Sequence, residues 1–348
     1  MAGSRQPTVL LTGASGVVGR AVAEELSGHR VIGTVHADAD VPVLDEVLRC
    51  DLAEERLGLD AERWDRLAGE VDAIVHSGAL TQWGQPRELY ERVNVGGTRR
   101  VIELAQAAGA PVHYVGTCFV KALMDHSYDE MSEDNVVRPY VWSKLESERL
   151  LAESGVPFNV FRPTNLVGHS ETGASSRPQI VQAMSDWICR GKAPYFPAHP
   201  GNLVDVVPLD VLAVAVARAV EMEDLGHEHW VTYGAEAMTV EEALDVVVEH
   251  AARLGRDIER ARVVDPREPL PIPLEEVPAT SRSFVKVLID VSETTHLSGG
   301  VLPSSLPELR ERYGVPEASD AEAYRRSLEY WAAERGTMPA RATTKEAT

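Results

Sequence analysis

Short apolar runs alternate with longer amphipathic stretches through the first half of the chain. Residues 8–12, 31–35, 71–76 and 111–116 read as buried strands, each a mostly apolar run too short for a helix. Residues 17–26 and 87–108 carry the three-to-four-residue apolar spacing of helices with one buried face. This alternation predicts βαβ units. Right-handed crossovers then make a doubly wound, mostly parallel sheet the simplest topology, an α/β fold. The pattern changes after Arg162: residues 163–204 are rich in Pro, Gly and Ser, and 263–305 contains PREPLPIPLEEVPAT and reads as irregular loop. Between them, 203–220, as strand, turn and helix, and 229–234 both read as returns to the sheet. Residues 239–254 read as a helix opened by a capping box of Thr239 and Glu242.

The first strand ends in TGASGVVG, which places Gly13, Gly16 and Gly19 between a strand and a helix. Gly13 permits a tight turn out of the strand, Gly16 a close approach of backbone amides to a pyrophosphate, and Gly19 close packing of the helix. The helix N-terminus, with Ser15, Val17 and Val18 around it, offers the positive end of a dipole to phosphates.

The spacing resembles the TGxxGxxG of short-chain dehydrogenase/reductases, particularly the extended members. The resemblance implies a Rossmann-type sheet and further residues in a fixed order. CDL supplies Asp51 and Leu52 near an adenine; IVHSGAL supplies Ser77, Gly78 and Ala79 beneath a cofactor; VNVGGT supplies Asn94; HYVGTC supplies Thr117; YVWSK supplies Tyr140 and Lys144. It implies cofactor contacts from Pro163 and Asn165 as well. On this basis residues 1–164 form an NAD(P)-binding domain completed by about 203–236. Residues 165–202 and 237–335 form a smaller, irregular substrate-binding region, and 336–348 a disordered tail.

Members that prefer NAD usually carry an acid at the end of the second strand. Here the position is Val35, followed by His36, so the repulsion against a 2′-phosphate is missing. His36 and Arg20 are candidate donors to that phosphate, while Asp38 and Asp40 lie a little further on. The expectation is NADP(H) rather than NAD(H), and no metal. Tyr140 and Lys144, four apart, share one helix face. A neighbouring ammonium favours the phenolate, which brings the tyrosine toward acid–base work, and Thr117 can hydrogen-bond a substrate oxygen as charge develops on it. Cys118 reads as a small packed residue rather than a nucleophile, because no His or acid accompanies it.

Three segments resemble the thioester reductases and fatty acyl-CoA reductases within that family: HSGALTQW, RPTNLVGHSETG (Arg162, Pro163, Gly168, Ser170, Thr172, Gly173) and VDVVPLD. The resemblance implies reduction of an acyl thioester, on coenzyme A or a carrier protein, to aldehyde or alcohol, with Tyr140 as proton donor. His169 stands where relatives often have Asp. The rival within the enzyme class is a reductase, epimerase or dehydratase of a small ketone, aldehyde or nucleotide sugar. The rival outside it is a non-catalytic NADP-binding sensor or scaffold, which retention of Tyr140 and Lys144 disfavours.

Charge narrows the partners. The 348 residues hold Lys+Arg 34 against Asp+Glu 54, a formal net charge of -20. Such a field excludes general nucleic-acid binding and adsorption to anionic membranes. Three cysteines with no disulfide or zinc spacing, and no signal-like N-terminus, give a cytoplasmic expectation. The run 253–262, with Arg253, Arg256, Arg260 and Arg262, reads as a solvated helix face or a local basic patch for an acidic carrier. Monomer and homodimer both remain open.

Overall fold

The computed structural model describes residues 5–37 and 40–336; all of the expected C-terminal tail except Gly336 lies outside them. Seven strands make one parallel sheet: β1 (Thr8–Thr12), β2 (Arg30–Val35), β3 (Glu46–Arg49), β4 (Ala73–His76), β5 (Val112–Val115), β6 (Phe158–Pro163) and β7 (Glu228–Val231), in the order 7-6-5-4-1-2-3. The order reverses between β1 and β4. A sheet wound both ways from one strand leaves a crevice at the carboxyl ends there.

The helices that bear on the site are α1 (Val17–Glu25), α2 (Gly96–Ala108), α3 (Arg138–Glu153), α4 (Ile180–Cys189), α5 (Leu209–Glu221), α6 (Val240–Arg253), α7 (Ala279–Leu297) and α8 (Asp320–Glu334). Residues alternate across β1. Val9 and Leu11 bury against α1 and α5 on one face, and Leu10 against Leu67 and Leu104 on the other. Covering both faces explains why β1 reads as a continuous apolar run. A second core lies among α4, α6, α7 and α8, where Trp187, Tyr195, Leu244, Val285 and Tyr324 meet. The segment Leu306–Tyr313 packs instead on the sheet side, through Leu306, Leu309 and Tyr313.

Three elements depart from the sequence pattern. Of the two expected returns to the sheet only Glu228–Val231 joins it, because Leu203–Val204 pairs with Met238–Thr239 and Val206–Pro208 with Asn165–Val167. Residues 263–305 are not loop throughout, since Ala279–Leu297 is a 19-residue helix. The prolines that suggested a break all precede it, and Pro278 occupies its N-cap. The strand β3 has no apolar run to announce it, because EVLR lies at the sheet edge, half exposed. The capping box at α6 is present, with Thr239 Oγ1 accepting from the Glu242 amide and the Thr239 amide donating to Glu242 Oε2 at 2.8 Å.

Candidate active site

The glycine loop sits at the reversal point of the sheet. Gly13 has φ +69°, and an ideal Cβ on it would stand 2.6 Å from the Gly78 Cα. A Cβ on Gly19 would stand 2.3 Å from the Gly13 carbonyl oxygen, so the helix starts against the loop itself. Gly16 is the N-cap of α1, and its amide donates to Gly13 O at 2.8 Å. No side chain caps this helix, so the amides of Val17 and Val18 are open to an anion. Ser15 flanks them, its carbonyl accepting from Arg20 Nε at 3.4 Å.

The floor follows from β4. Ser77 Oγ donates to Thr12 O at 2.7 Å and the Gly78 amide to Thr12 Oγ1 at 3.0 Å, which fixes the loop beside Ala79. Leu52 closes it from below, against Gly78 and Gly97. Asn94 lies in a single π-helical turn, Glu91–Val95, a feature frequent at functional sites. Its side chain joins three elements: Oδ1 accepts from the Leu80 amide at 2.7 Å, while Nδ2 donates to Leu80 O and to Ser143 Oγ of α3. His76, the first residue of HSGALTQW, is buried between Thr12 and Thr98, 2.7 Å and 3.2 Å away. Burial, helped by the nearby Lys144 charge, pushes its pKa down to about 3, so it is neutral.

Thr117 and Tyr140 come together where β5 ends and α3 begins, with Lys144 one turn further along α3, and all three are buried. Tyr140 and Lys144 share a face of α3, whose first turn accommodates Pro139. Burial raises the Tyr140 phenol above its ordinary value, and the hydrogen-bonded Thr117 side chain opposes this. Lys144 Nζ donates to Val115 O at 2.7 Å and lies 4.3 Å over the Tyr114 ring. Burial pushes its pKa down to about 7, with the Glu148 carboxylate working the other way. From the sequence alone the ammonium was expected to lower the phenol. In the structure desolvation dominates both groups, and the phenol stays protonated. Behind Lys144, Glu148 pairs with Arg162 at 2.8 Å, and Arg162 also meets Glu228 and the Trp230 face.

His36 and Asp51 face each other beyond the ends of β2 and β3, Nδ1 to Oδ2 at 3.9 Å and largely in solvent. Arg20 reaches the same loop, donating to the Asp40 carbonyl at 2.8 Å. Asp38 lies outside the described residues.

Pro163 ends β6, and Asn165 opens a short strand paired with Val206–Pro208. Beside them an apolar cavity of about 140 Å³ runs from Trp83 and Phe119 past Asn165 to Met184, Leu244 and Val291. Much of its polar lining is already engaged. Asp205 accepts from the Tyr233 and Gly234 amides, and Asn202 donates to Ser292 O. Burial pushes the Asp205 carboxyl up to about 7 despite those two amides.

The motif segments prove to be one piece of construction. Ser170 bonds Asp210 of VDVVPLD through its amide at 2.8 Å and its hydroxyl at 2.6 Å. His169 Nδ1 lies 3.8 Å from the same carboxylate. Cys118 is fully buried and free, and burial raises its thiol far above the ordinary range. Two of the four arginines of the basic run are paired, Arg253 with Glu329 and Arg260 with Asp245. Among the described residues there is no cluster of ligands that could hold a metal, and no helix is long and apolar enough to cross a membrane.

Comparison with known proteins places these features in context. A family model described as male sterility protein matches residues 45–216. A linear gramicidin synthase polypeptide of Brevibacillus parabrevis is 32% identical over 208 residues, which is 56% of this chain and 4% of that protein. The chain therefore spans a small part of such relatives. Among solved structures, the terminal R domain of the myxalamid PKS-NRPS pathway aligns with TM-score 0.71 at 22% identity, covering 97% of this chain and 93% of that one. A UDP-glucose 4-epimerase from Stenotrophomonas maltophila, solved with NAD and a formylated UDP-arabinopyranose, aligns with TM-score 0.65 at 16% identity, covering 95% and 99%.

Proposed function

We propose that this chain, an extended short-chain dehydrogenase/reductase of the male-sterility-protein type and by family an NAD(P)-dependent oxidoreductase, reduces an acyl thioester carried by coenzyme A or a carrier protein. The observation that carries the choice of substrate is the apolar cavity beside Phe119 and Asn165. An acyl chain fits such a lining, whereas a nucleotide sugar needs several free polar partners. The similarity to a linear gramicidin synthase polypeptide supports the same choice.

The residues present fit a dinucleotide. Gly16 leaves room that a Cβ would narrow to 3.0 Å from the Gly13 oxygen, and the uncapped amides of Val17 and Val18 suit a pyrophosphate. Gly13, Ser15, Gly16, Val17, Val18 and Gly19 would hold the phosphates. Asp51 and Leu52 would flank the adenine, and Ser77, Gly78, Ala79, Asn94, Pro163 and Asn165 the remainder. His36, with Arg20 beside it and no acid at Val35, favours NADP(H) over NAD(H). When bound, the reduced nicotinamide supplies a hydride to the thioester carbonyl carbon. Tyr140, kept neutral by burial, holds the proton that the carbonyl oxygen takes up, and Thr117 donates a hydrogen bond as negative charge grows there. Loss of the thiol then gives an aldehyde, and a second reduction the alcohol. Lys144 lies on the same helix face and carries its positive charge below about pH 7.

The test is NAD(P)H oxidation measured over acyl-CoAs, carrier-bound acyls, ketones and nucleotide sugars, with products identified. Thioester-dependent oxidation yielding aldehyde or alcohol is expected, and Tyr140→Phe should lower its rate by about 10²–10⁴-fold. Turnover of ketones or nucleotide sugars with none of thioesters would overturn the assignment.

A further inference from the structure

We infer that Arg177 binds the dinucleotide's pyrophosphate, carried over the glycine loop by the segment that leads into α4. The inference rests on the cofactor reading above and adds a residue from outside the sheet domain. The segment 168–179 leaves its short strand and folds back tightly. A Cβ on Gly168 would stand 1.9 Å from the Gly173 carbonyl oxygen, and one on Gly173 (φ +71°) 2.1 Å from the Arg326 carbonyl oxygen. The turn is closed by the Gly173 amide donating to His169 O at 2.7 Å and the His169 amide to Ala174 O at 2.8 Å. It is pinned on one side by Ser170 to Asp210, and on the other by Arg326 Nη1 to Ser170 O and Trp331 Nε1 to Ser175 Oγ. Two side chains fix the backbone of Arg177 itself: Ser175 Oγ and Gln179 Nε2 donate to its carbonyl at 3.2 Å and 3.1 Å.

The backbone is held and the side chain is delivered. Arg177 Nη2 lies 3.8 Å from where a Cβ on Gly16 would be, directly over the N-cap of α1. Among the described residues its guanidinium has no hydrogen bond or ion pair, whereas Arg20, Arg100 and Arg326 nearby are all engaged. Arg177 is exposed, and in a chain with 54 acids to 34 bases a cation set this close to Gly16 and the open helix amides gives an anionic ligand a local partner in an unfavourable overall field. A planar guanidinium matches two oxygens of a diphosphate at once. Gly16 defines which part of the cofactor it meets. The adenosine end lies at His36 and Arg20, so Arg177 strengthens binding of both dinucleotides without selecting between them. Because α4 starts at Ile180 and lines the apolar cavity with Ile180 and Met184, the same segment ties the cofactor to the substrate wall.

Direct titration decides it, following NADPH and NADH fluorescence, with ADP-ribose and 2′-AMP as competitors. Arg177→Ala should raise Kd for NADPH, NADH and ADP-ribose alike by about 10–100-fold, the range expected for charged hydrogen bonds. It should leave 2′-AMP, which lacks the diphosphate, unchanged, and Arg177→Lys should restore part of the loss. An unchanged melting temperature in the absence of ligand shows that the variant is folded. Equal Kd values for parent and variant overturn the inference while the cofactor site stands. A loss confined to NADPH and 2′-AMP overturns it by moving the contact to the 2′-phosphate. Failure of the parent protein to bind either dinucleotide removes the cofactor reading and this inference together.

Discussion

Replacing Gly13 and Gly69 by alanine should have opposite effects, and the structure supplies both magnitudes. Gly13 has a left-handed backbone at φ +69°, which costs an L-residue about 1–2 kcal/mol. Its new Cβ would lie 2.6 Å from the Gly78 Cα and 2.8 Å from the Gly78 nitrogen, so two backbone segments must part by most of an ångström. Overpacking of that kind costs about 1–3 kcal/mol. Together these give roughly 2–5 kcal/mol, or a fall in melting temperature of roughly 3–7 °C for a chain of this size. Gly69 is the contrast. It lies exposed near the end of the helix Ala61–Glu70, with nothing within 4 Å of an added Cβ and no positive φ. Alanine there should stabilise by about 0.5–1 kcal/mol, since glycine loses more freedom on entering a helix. Thermal denaturation of the two variants beside the parent is the assay. Dinucleotide titration is a second readout, because the Gly16 amide hangs on the Gly13 carbonyl and must move with it. If Gly13→Ala melts within a degree of the parent and binds dinucleotide normally, the reasoning about the cradle is wrong.

Lys144 should give a pH signature. Burial holds its pKa at about 7, so kcat/KM should fall as pH rises through about 7 and the ammonium is lost, and the Lys144→Met profile should be flat there. For stability the sign is set by the same depression. The folded chain binds fewer protons than the unfolded one between about pH 7 and the ordinary lysine value of 10.5, so this group's penalty is complete below pH 7 and lifts as pH rises across that window. Cys118 should resist thiol reagents in the native protein, and Cys118→Ala should keep activity within about tenfold, because a fully buried thiol with a raised pKa supplies no thiolate. A covalent acyl adduct on Cys118 seen by mass spectrometry would refute this. Ala243→Trp places a large ring in the apolar cavity and should raise KM for long acyl thioesters by about tenfold or more while sparing acetyl thioesters, as expected when a substrate-shaped space is filled. Equal effects on long and short acyl groups would mean that the cavity does not receive the chain.

What could be read in advance, and what could not, divides along one physical line. The sheet was legible because a strand covered on both faces must be apolar throughout, so β1 and β4 announced themselves in TVLLT and AIVH. The edge strand β3 needed no such composition and left no signal. The capping box of α6 was legible because Thr239 and Glu242 are neighbours in sequence. Ser170 and Asp210 form an equally specific pair, but lie 40 residues apart, and nothing local in GHSETG or VPLD says that they meet. The glycine loop shows both halves at once. Its turn and its close approaches follow from spacing, yet the cation over it is set by the fold of a distant segment. With an overall charge of -20, an anionic cofactor needs local cations, and Lys144 is one candidate. Lys144 stands on the Val115 carbonyl, deep enough to lose much of its proton affinity. Arg177 meets the requirement better on elementary grounds, since a guanidinium stays charged at every working pH while a buried ammonium does not. Composition could state the need for such a residue; only the tight turn at Gly168 and Gly173, pressed against Arg326, brings one to Gly16.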